Sequence, residues 1–182
     1  MKKAFLLLFT FTIISCGSEN LSNSKAEDII SDCLEKTPQQ RQELLTLGKA
    51  TFSTKDYDVK LLNNYLQLKE EGYIEMELIK EITKGYRKGS KEYNIKLTDD
   101  AIDYIIESNE RSAFVKTFIY KVDEVLEVQE TPATNTAKAK VKFEAKDITP
   151  FAILSKKDPT EFWIKDFKLT KTSNGWKYCD NF

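Results

Sequence analysis

The amino-acid sequence predicts an α+β fold: a helical N-terminal half that contains a β-hairpin, followed by a four-stranded antiparallel sheet. Two patterns predict this order. Apolar residues in the region 26–110 recur mostly at helical spacing, whereas those in the region 113–182 alternate with polar residues, as half-buried strands require. The chain has 182 residues, of which 41% are hydrophobic and 31% charged, and this composition is typical of a folded protein.

The charge balance and the absence of histidine exclude several classes of function. There are 28 basic and 29 acidic side chains, and a formal net charge of -1 argues against a nucleic-acid partner. Without histidine there is no Ser–His–Asp or Cys–His nucleophile pair and no His-ligated zinc site. No phosphate-binding, dinucleotide-binding or metalloprotease motif occurs. We therefore predict no catalytic residue, no cofactor and no metal site.

The first residues have the features of an export signal. Lys2 and Lys3 precede an apolar run from Ala4 to Ile14. That run is too short to cross a bilayer as a helix, but it matches the apolar core of a secretory signal peptide. The run ends in Ile13-Ile14-Ser15-Cys16, which resembles the lipobox of bacterial lipoproteins.

This resemblance implies that residues 1–15 are removed and that the Cys16 thiol carries a diacylglycerol with palmitate-like chains. The lipid would anchor the protein to a membrane of the cell envelope. Gly17, where an aspartate would favour the inner membrane, implies the outer membrane by the same resemblance. The alternative is an ordinary signal peptide with an incidental cysteine at this position.

Two further cysteines, Cys33 and Cys179, remain as an even pair. An exported protein lies in an oxidising compartment, so a disulfide between them is expected to join the first helix to the last strand. The alternative is two separate buried thiols, which behave as small hydrophobic side chains.

Three segments precede the third predicted helix. Residues 16–25 are small and polar and predict a flexible tether between lipid and fold. A first helix is predicted over residues 26–35. Thr37-Pro38 is typical of a helix start, so a second helix is expected from there to Leu47, with Gly48 ending it.

The third predicted helix has the broadest apolar face of the chain. It spans residues 58–71, with Asp58 as the N-cap and Gly72 at the C-terminal stop.

Alternating residues then predict a hairpin whose strands span residues 73–82 and 93–97, with a turn at residues 85–90. A closing helix is expected from Asp99 to Ser108. The order of helix, hairpin and helix over residues 61–106 resembles a winged-helix module, a resemblance that brings no catalytic residue with it.

The β-rich region follows. On its first strand, Phe118, Tyr120 and Leu126 share one parity and are expected to face the core. Asn174-Gly175 predicts a tight hairpin turn between the last two strands. The four predicted strands span residues 114–128, 137–145, 162–172 and 176–180.

Two basic groups are candidate binding surfaces. The first lies on the hairpin turn around Tyr86, and an acidic protein or anionic lipid headgroups would suit it, the alternative being a solvated turn. It comprises Lys84, Arg87, Lys88 and Lys91. The second lies on the polar face of one strand, where pairing with nearby glutamates would explain it without a partner. It comprises Lys138, Lys140, Lys142 and Lys146.

Aromatic residues are frequent near the C-terminus, and most are expected in the core. Trp163 has the opposite parity to Phe162 and Ile164, so we expect it to line a pocket or a partner surface.

Together these features predict a lipid-anchored, non-enzymatic binding or scaffolding protein of the cell envelope. The alternative is an envelope hydrolase that uses Asp or Glu, because such chemistry needs no histidine. The distinguishing feature would be two carboxyl groups converging in a pocket with raised pKa values.

Overall fold

The computed structural model describes residues 20–179, which form two antiparallel sheets and two α-helices. The helices are α1 (Asn23–Lys36) and α2 (Asp56–Glu70). The strands are β1 (Gln39–Thr46), β2 (Gly48–Phe52), β3 (Ile74–Glu81), β4 (Lys91–Leu97), β5 (Ile105–Ser108), β6 (Ser112–Thr131), β7 (Thr136–Lys146), β8 (Trp163–Thr172) and β9 (Gly175–Lys177). Short 3-10 helices span Asp99–Tyr104, Pro132–Thr134 and Pro150–Leu154.

The larger sheet has six strands in the order β1-β6-β7-β8-β9, and β5 pairs with the start of β6. The helix α1 packs against β6 and β7. Its inward residues Ala26 and Ile30 are fully buried, and they belong to the same core as Phe118, Phe143 and Leu169 of the sheet. The apolar stripe of α1 therefore covers one face of this sheet.

The smaller sheet has the order β2-β4-β3, and α2 packs beside it. Tyr65 and Leu68 of α2 share a second core with Ile74, Ile95 and Phe151. The Tyr65 hydroxyl oxygen accepts a hydrogen bond of 2.7 Å from the Thr46 N–H, and burial raises the pKa of this phenol. The two sheets are joined through β6, whose first residues lie in the second core and whose later residues lie in the first.

The predicted helical N-terminal half is wrong. The chain from Gln39 to Thr46 forms β1, which pairs with β6 from Tyr120 back to Ser112. The residues of β1 are mostly good helix formers, but pairing with a distant strand outweighs intrinsic propensity. Thr37 ends α1 instead of starting a helix, since its N–H and hydroxyl both donate to the Cys33 carbonyl.

The predicted four-stranded sheet is also wrong, because β1 and β5 extend it to six strands. The segment expected as a closing helix is a 3-10 helix over Asp99–Tyr104 followed by β5. The expected order of helix, hairpin and helix over residues 61–106 therefore lacks its closing α-helix. Within the described part of the chain, α2 is the single α-helix between β2 and β3.

The tether expected over residues 16–25 is wrong from Leu21 onward. The helix α1 begins at Asn23, with the Ser22 side chain accepting from the Lys25 N–H, and Leu21 is only 5% exposed. These residues therefore belong to the folded body, while the lipobox cysteine Cys16 lies outside the described residues.

The inward parity predicted for β6 is wrong at Leu126. Phe118 and Tyr120 are buried as expected, but Leu126 is 41% exposed and Val125 is buried in its place. Two β-bulges after Val122 shift the register against β7. Each extra residue moves the following side chains to the opposite face, so the second bulge restores the parity that the first one changed.

Several local predictions are confirmed. The helices α1 and α2, the β3–β4 hairpin, the alternation along β7 and the turn before Gly175 all lie close to their predicted positions. The alternation buries Ala137, Ala139, Val141 and Phe143 on one face of the sheet.

The expected cysteine pair is brought together. The Cα atoms of Cys33 and Cys179 lie 5.9 Å apart, which is within disulfide-bonding distance. The pair joins the end of α1 to the segment after β9.

Over residues 20–179, no helix is both long enough and apolar enough to cross a membrane.

Candidate functional site

The turn of the β3–β4 hairpin is closed by its own backbone. The Gly89 N–H donates to the Ile82 carbonyl at 2.7 Å, and the Ile82 N–H donates to the Ser90 carbonyl at 2.9 Å. Gly85 and Gly89 have φ angles of 79° and 87°, a left-handed conformation that glycine adopts without steric cost. The backbone that carries the side chains between the two glycines therefore has one defined conformation.

Three of the predicted basic residues lie together on this turn. Lys84, Arg87 and Lys88 are exposed, and none of them forms an ion pair with any residue that the structure describes. Tyr86 stands among them with its side chain 100% exposed. Lys91 is separate, because it lies half-buried in β4 opposite Phe52. We call the group Lys84, Tyr86, Arg87 and Lys88 the basic tip.

The second basic group is engaged with acidic neighbours. Lys142 lies 2.6 Å from Asp123 and 3.4 Å from Glu124, and a hydrogen bond to Asp123 raises the pKa of this ammonium. The other three lysines pair in the same way: Lys138 with Asp166 at 2.8 Å, Lys140 with Glu127 at 3.5 Å and Lys146 with Glu144 at 2.7 Å. These ion pairs explain the second basic group without a binding partner. The basic tip differs from it, because its cationic side chains form no ion pair with a described residue.

A groove opens where α1 ends and β1 begins. It comprises two cavities, of about 460 Å³ and about 360 Å³, and Tyr120 of β6 lines both. We call it the Tyr120 groove. The larger cavity lies between the last turns of α1 and residues 119–122. The smaller one lies between residues 39–41 and the segment that leads into β8.

Aromatic rings form one wall of the Tyr120 groove. The Trp163 ring centroid lies 5.1 Å from that of Tyr120 and 5.4 Å from that of Phe143. Phe162, beside Trp163, is 62% exposed. Trp163 therefore lines a pocket while its ring contacts the core.

Arg41 is among the polar residues that line the smaller cavity. Its Nε atom is buried and has no hydrogen-bond partner among residues 20–179. Its terminal nitrogen lies 3.8 Å from Glu43, a distance too long for a direct hydrogen bond. Sequence reasoning missed Arg41 and Tyr120 as site residues, because it assigned the first to a helix and the second to the core.

The acidic residues of the groove are partly engaged. In the smaller cavity, the Asp158 carboxylate accepts from the Thr160 hydroxyl at 2.7 Å and from the Thr160 N–H at 2.8 Å. These two bonds lower the pKa of Asp158. In the larger cavity, Asp147 pairs with Lys121 at 3.2 Å. No group of three acidic or cysteine side chains that could hold a metal ion occurs in the described ranges.

The chain matches no protein-family model, no curated protein and no solved structure. The function is therefore argued from the residues of the basic tip and the Tyr120 groove.

Proposed function

We propose that this protein is a lipid-anchored binding module of the cell envelope and that the basic tip docks on an acidic surface of a partner protein. The observation that supports this function is the grouping of three unpaired cationic side chains around the fully exposed Tyr86. Tyrosine and arginine are enriched among the residues that dominate binding energy at protein interfaces.

The position of the anchor favours a protein partner over the tethering bilayer. From Cys16 to the buried Leu21 the chain can reach at most about 18 Å, at about 3.6 Å per residue. The Leu21 N–H donates to Glu130 at the end of β6. A lipid on Cys16 would therefore hold this end of β6 close to the membrane.

The basic tip lies in the smaller sheet, which packs at the other end of β6 from the contact with Leu21. The core that holds the smaller sheet includes Ala113 and Val115 at the start of β6. The strand between Val115 and Glu130 is up to about 50 Å long, at about 3.3 Å per residue. This separation along β6 favours an acidic protein over the headgroups around the anchor as the partner.

The hydrolase alternative has less support. A carboxyl group that acts as a general acid near neutral pH needs a raised pKa. Among the described carboxyl groups, the shifts that are resolved are downward, for Asp58, Glu127 and Asp158, and in each case the largest cause is a hydrogen bond to the carboxylate. We therefore keep binding as the proposed function.

The basic tip can be tested with a defined acidic probe. Replacing its three cationic residues by serine should weaken binding of a deca-glutamate peptide roughly tenfold, since each exposed ion pair contributes about 0.5 kcal/mol. Binding is measured by calorimetry at low and at physiological salt, because exposed charges are screened. The variant is Lys84→Ser, Arg87→Ser, Lys88→Ser, and the charge-matched control is Lys138→Ser, Lys140→Ser, Lys146→Ser.

Two results would contradict this docking surface. One is an equal loss of peptide binding in the variant and the control. That result would mean that peptide binding depends on the net charge of the protein and not on the position of the basic tip. The other is binding of the wild type to vesicles that contain phosphatidylglycerol, lost in the variant, without binding to the peptide. That result would assign the tip to lipid headgroups.

The anchor is tested separately. Cys16→Ser should abolish incorporation of a fatty-acid analogue and release the chain from the membrane fraction, because only a thiol forms the lipid thioether. Undiminished labelling of the serine variant would overturn the anchor and leave the docking surface standing.

A further inference from the structure

We infer that the acidic partner of the basic tip is a second copy of this chain, and that two copies associate side by side, with antiparallel β3 strands, around a two-fold axis. This inference rests on the docking role proposed for the basic tip, and it names the partner. Three features of β3 support it: a free edge, opposite charges at its two ends, and exposed apolar side chains between them.

The outer edge of β3 is free. This strand is the last of the smaller sheet, and over residues 20–179 no strand pairs with its other edge. Its main contacts are with β4 and α2. An exposed strand edge presents unpaired backbone groups to which another chain can bind. The β-bulge after Leu78 disfavours a continuous ladder of backbone hydrogen bonds, so we expect side chains to form most of the contact.

Acidic side chains gather at the start of β3. The end of α2 and the 3-10 helix after β4 meet here, because the Thr98 hydroxyl donates to the Gly72 carbonyl at 2.6 Å. Burial raises the pKa of the Tyr73 phenol, and the nearby Glu71 and Asp100 carboxylates add to this rise. We give the name acidic end to five exposed residues at this place: Glu70, Glu71, Glu75, Asp99 and Asp100.

The two ends of β3 carry opposite net charges. None of the carboxylates of the acidic end forms an ion pair with a residue that the structure describes. Lys69 and Lys96 are their basic neighbours, so five negative charges outnumber two positive ones. At the other end, the cations of the basic tip and Lys91 outnumber Glu81. The eight residues of β3 separate these ends by about 26 Å.

An antiparallel arrangement makes these charges complementary. A two-fold axis near the middle of β3 places the basic tip of each copy beside the acidic end of the other, so the same contact forms twice. A parallel arrangement would instead bring like charges together, which costs free energy.

The middle of β3 suits a position near this axis. Leu78 is 50% exposed and Ile79 is 43% exposed, and a second copy would remove both from water. Glu77 and Lys80 flank them, and antiparallel packing brings each of these two residues towards the opposite charge of the other copy.

The contact covers one strand edge, which is small for a stable dimer. We therefore expect a reversible monomer–dimer equilibrium with a Kd on the order of 10–100 μM. Sedimentation equilibrium of the purified full chain between about 1 μM and about 1 mM measures it.

Two variants with reversed charges test the contact. Arg87→Glu, Lys88→Glu changes the basic tip, and Glu70→Lys, Glu71→Lys changes the acidic end. Each variant alone should self-associate about tenfold more weakly, because like charges then meet. An equimolar mixture of the two variants should associate about as strongly as the wild type, since both contacts of the mixed dimer pair opposite charges. A variant that failed to fold could not be rescued in this way.

The apolar middle of β3 has its own test. Ile79→Glu places two like charges near the axis and should weaken self-association about fivefold. Ile164→Glu changes an isoleucine of similar exposure, 44%, on β8 and should have no effect. Lys156→Glu, Lys157→Glu makes the charge change of the tip variant in the exposed loop before β8, and it should have no effect either.

Two results would overturn the dimer. One is a wild type that stays monomeric over the whole concentration range. The other is a mixture of the two charge-reversed variants that associates no more strongly than either variant alone. If deca-glutamate binds the basic tip while the chain stays monomeric, the dimer is wrong and the docking function stands, with another acidic protein as the partner.

Discussion

Asp58 is a residue whose role differs from the one that its position in the sequence suggests. It was expected to cap α2, but the helix begins at Asp56 and Asp58 lies inside the first turn. Its carboxylate accepts from the Ser53 hydroxyl and, at 3.0 Å, from the Ser53 N–H. These two bonds lower the pKa of Asp58, the hydroxyl contributing most. The side chain therefore fixes the loop between β2 and α2.

This hydrogen-bonded carboxylate predicts a pH-dependent effect. Because the pKa of Asp58 is lower in the folded state than its unfolded value of 3.8, the stabilisation is present above pH 3.8 and is lost as the pH falls through the folded pKa. Asp58→Asn should therefore lower Tm at pH 7, and the difference from wild type should shrink as the pH falls below 3.8. Thermal unfolding at several pH values measures it.

Asp56→Asn is the matched control, since it changes a neighbouring acid in the same helical turn without touching Ser53. An equal loss of Tm in both variants at pH 7 would mean that the helix end, and not the Ser53 contact, explains the effect.

Among the elements, the 3-10 helix over Pro150–Leu154 has a larger structural role than its length suggests. Its Phe151 is fully buried, and the ring centroid lies 5.7 Å from that of Tyr73 and 5.9 Å from that of Tyr104. The Asn64 side chain of α2 donates to the Ile153 carbonyl at 2.6 Å. This short element thus connects α2 and the smaller sheet to the β7–β8 connection.

Removal of the Phe151 ring should lower the stability of the fold. Phe151→Ala is expected to reduce the free energy of unfolding by about 3–5 kcal/mol, because it removes a buried ring and leaves a cavity. Phe162→Ala removes the same side chain from a position that is 62% exposed and should change it by less than about 1 kcal/mol. Urea titration compares the two, and equal losses would contradict the packing role of Phe151.

At the scale of the whole molecule, the two cysteines join distant parts of the chain. Cys33 and Cys179 are separated by 146 positions, and their contact links α1 to the C-terminal end of the larger sheet. A disulfide there would restrict the unfolded chain over nearly its whole described length.

Reduction of this pair should lower stability. For a loop of this length the chain-entropy model gives about 5 kcal/mol. We therefore expect a reducing agent to lower the urea midpoint of the wild type and to leave the midpoint of Cys33→Ser, Cys179→Ser unchanged. Identical midpoints for oxidised and reduced wild type would show that the two thiols are not bonded.

The candidate sites differ in how far the sequence could predict them. The basic tip was predicted because its residues are contiguous and two glycines mark a turn. Lys91 was grouped with them only by proximity in sequence, and it lies in β4. The Tyr120 groove could not be predicted as a whole, because Arg41, Tyr120 and Trp163 come from three distant segments.

The sequence by itself determined the features that depend on near neighbours. Alternation along β7, the glycine after α2 and the Asn174-Gly175 turn are local patterns that physical chemistry translates directly into structure.

The tertiary structure decided what depends on distant partners. Residues 39–46 favour a helix in isolation, and they form β1 because Gln39 pairs with Tyr120 and Thr46 with Ser112 across the sheet. The bulges that re-aim β6 arise from its pairing with β7. Such contacts join segments far apart in the chain, and their free energy exceeds the small local preferences that a sequence pattern reports.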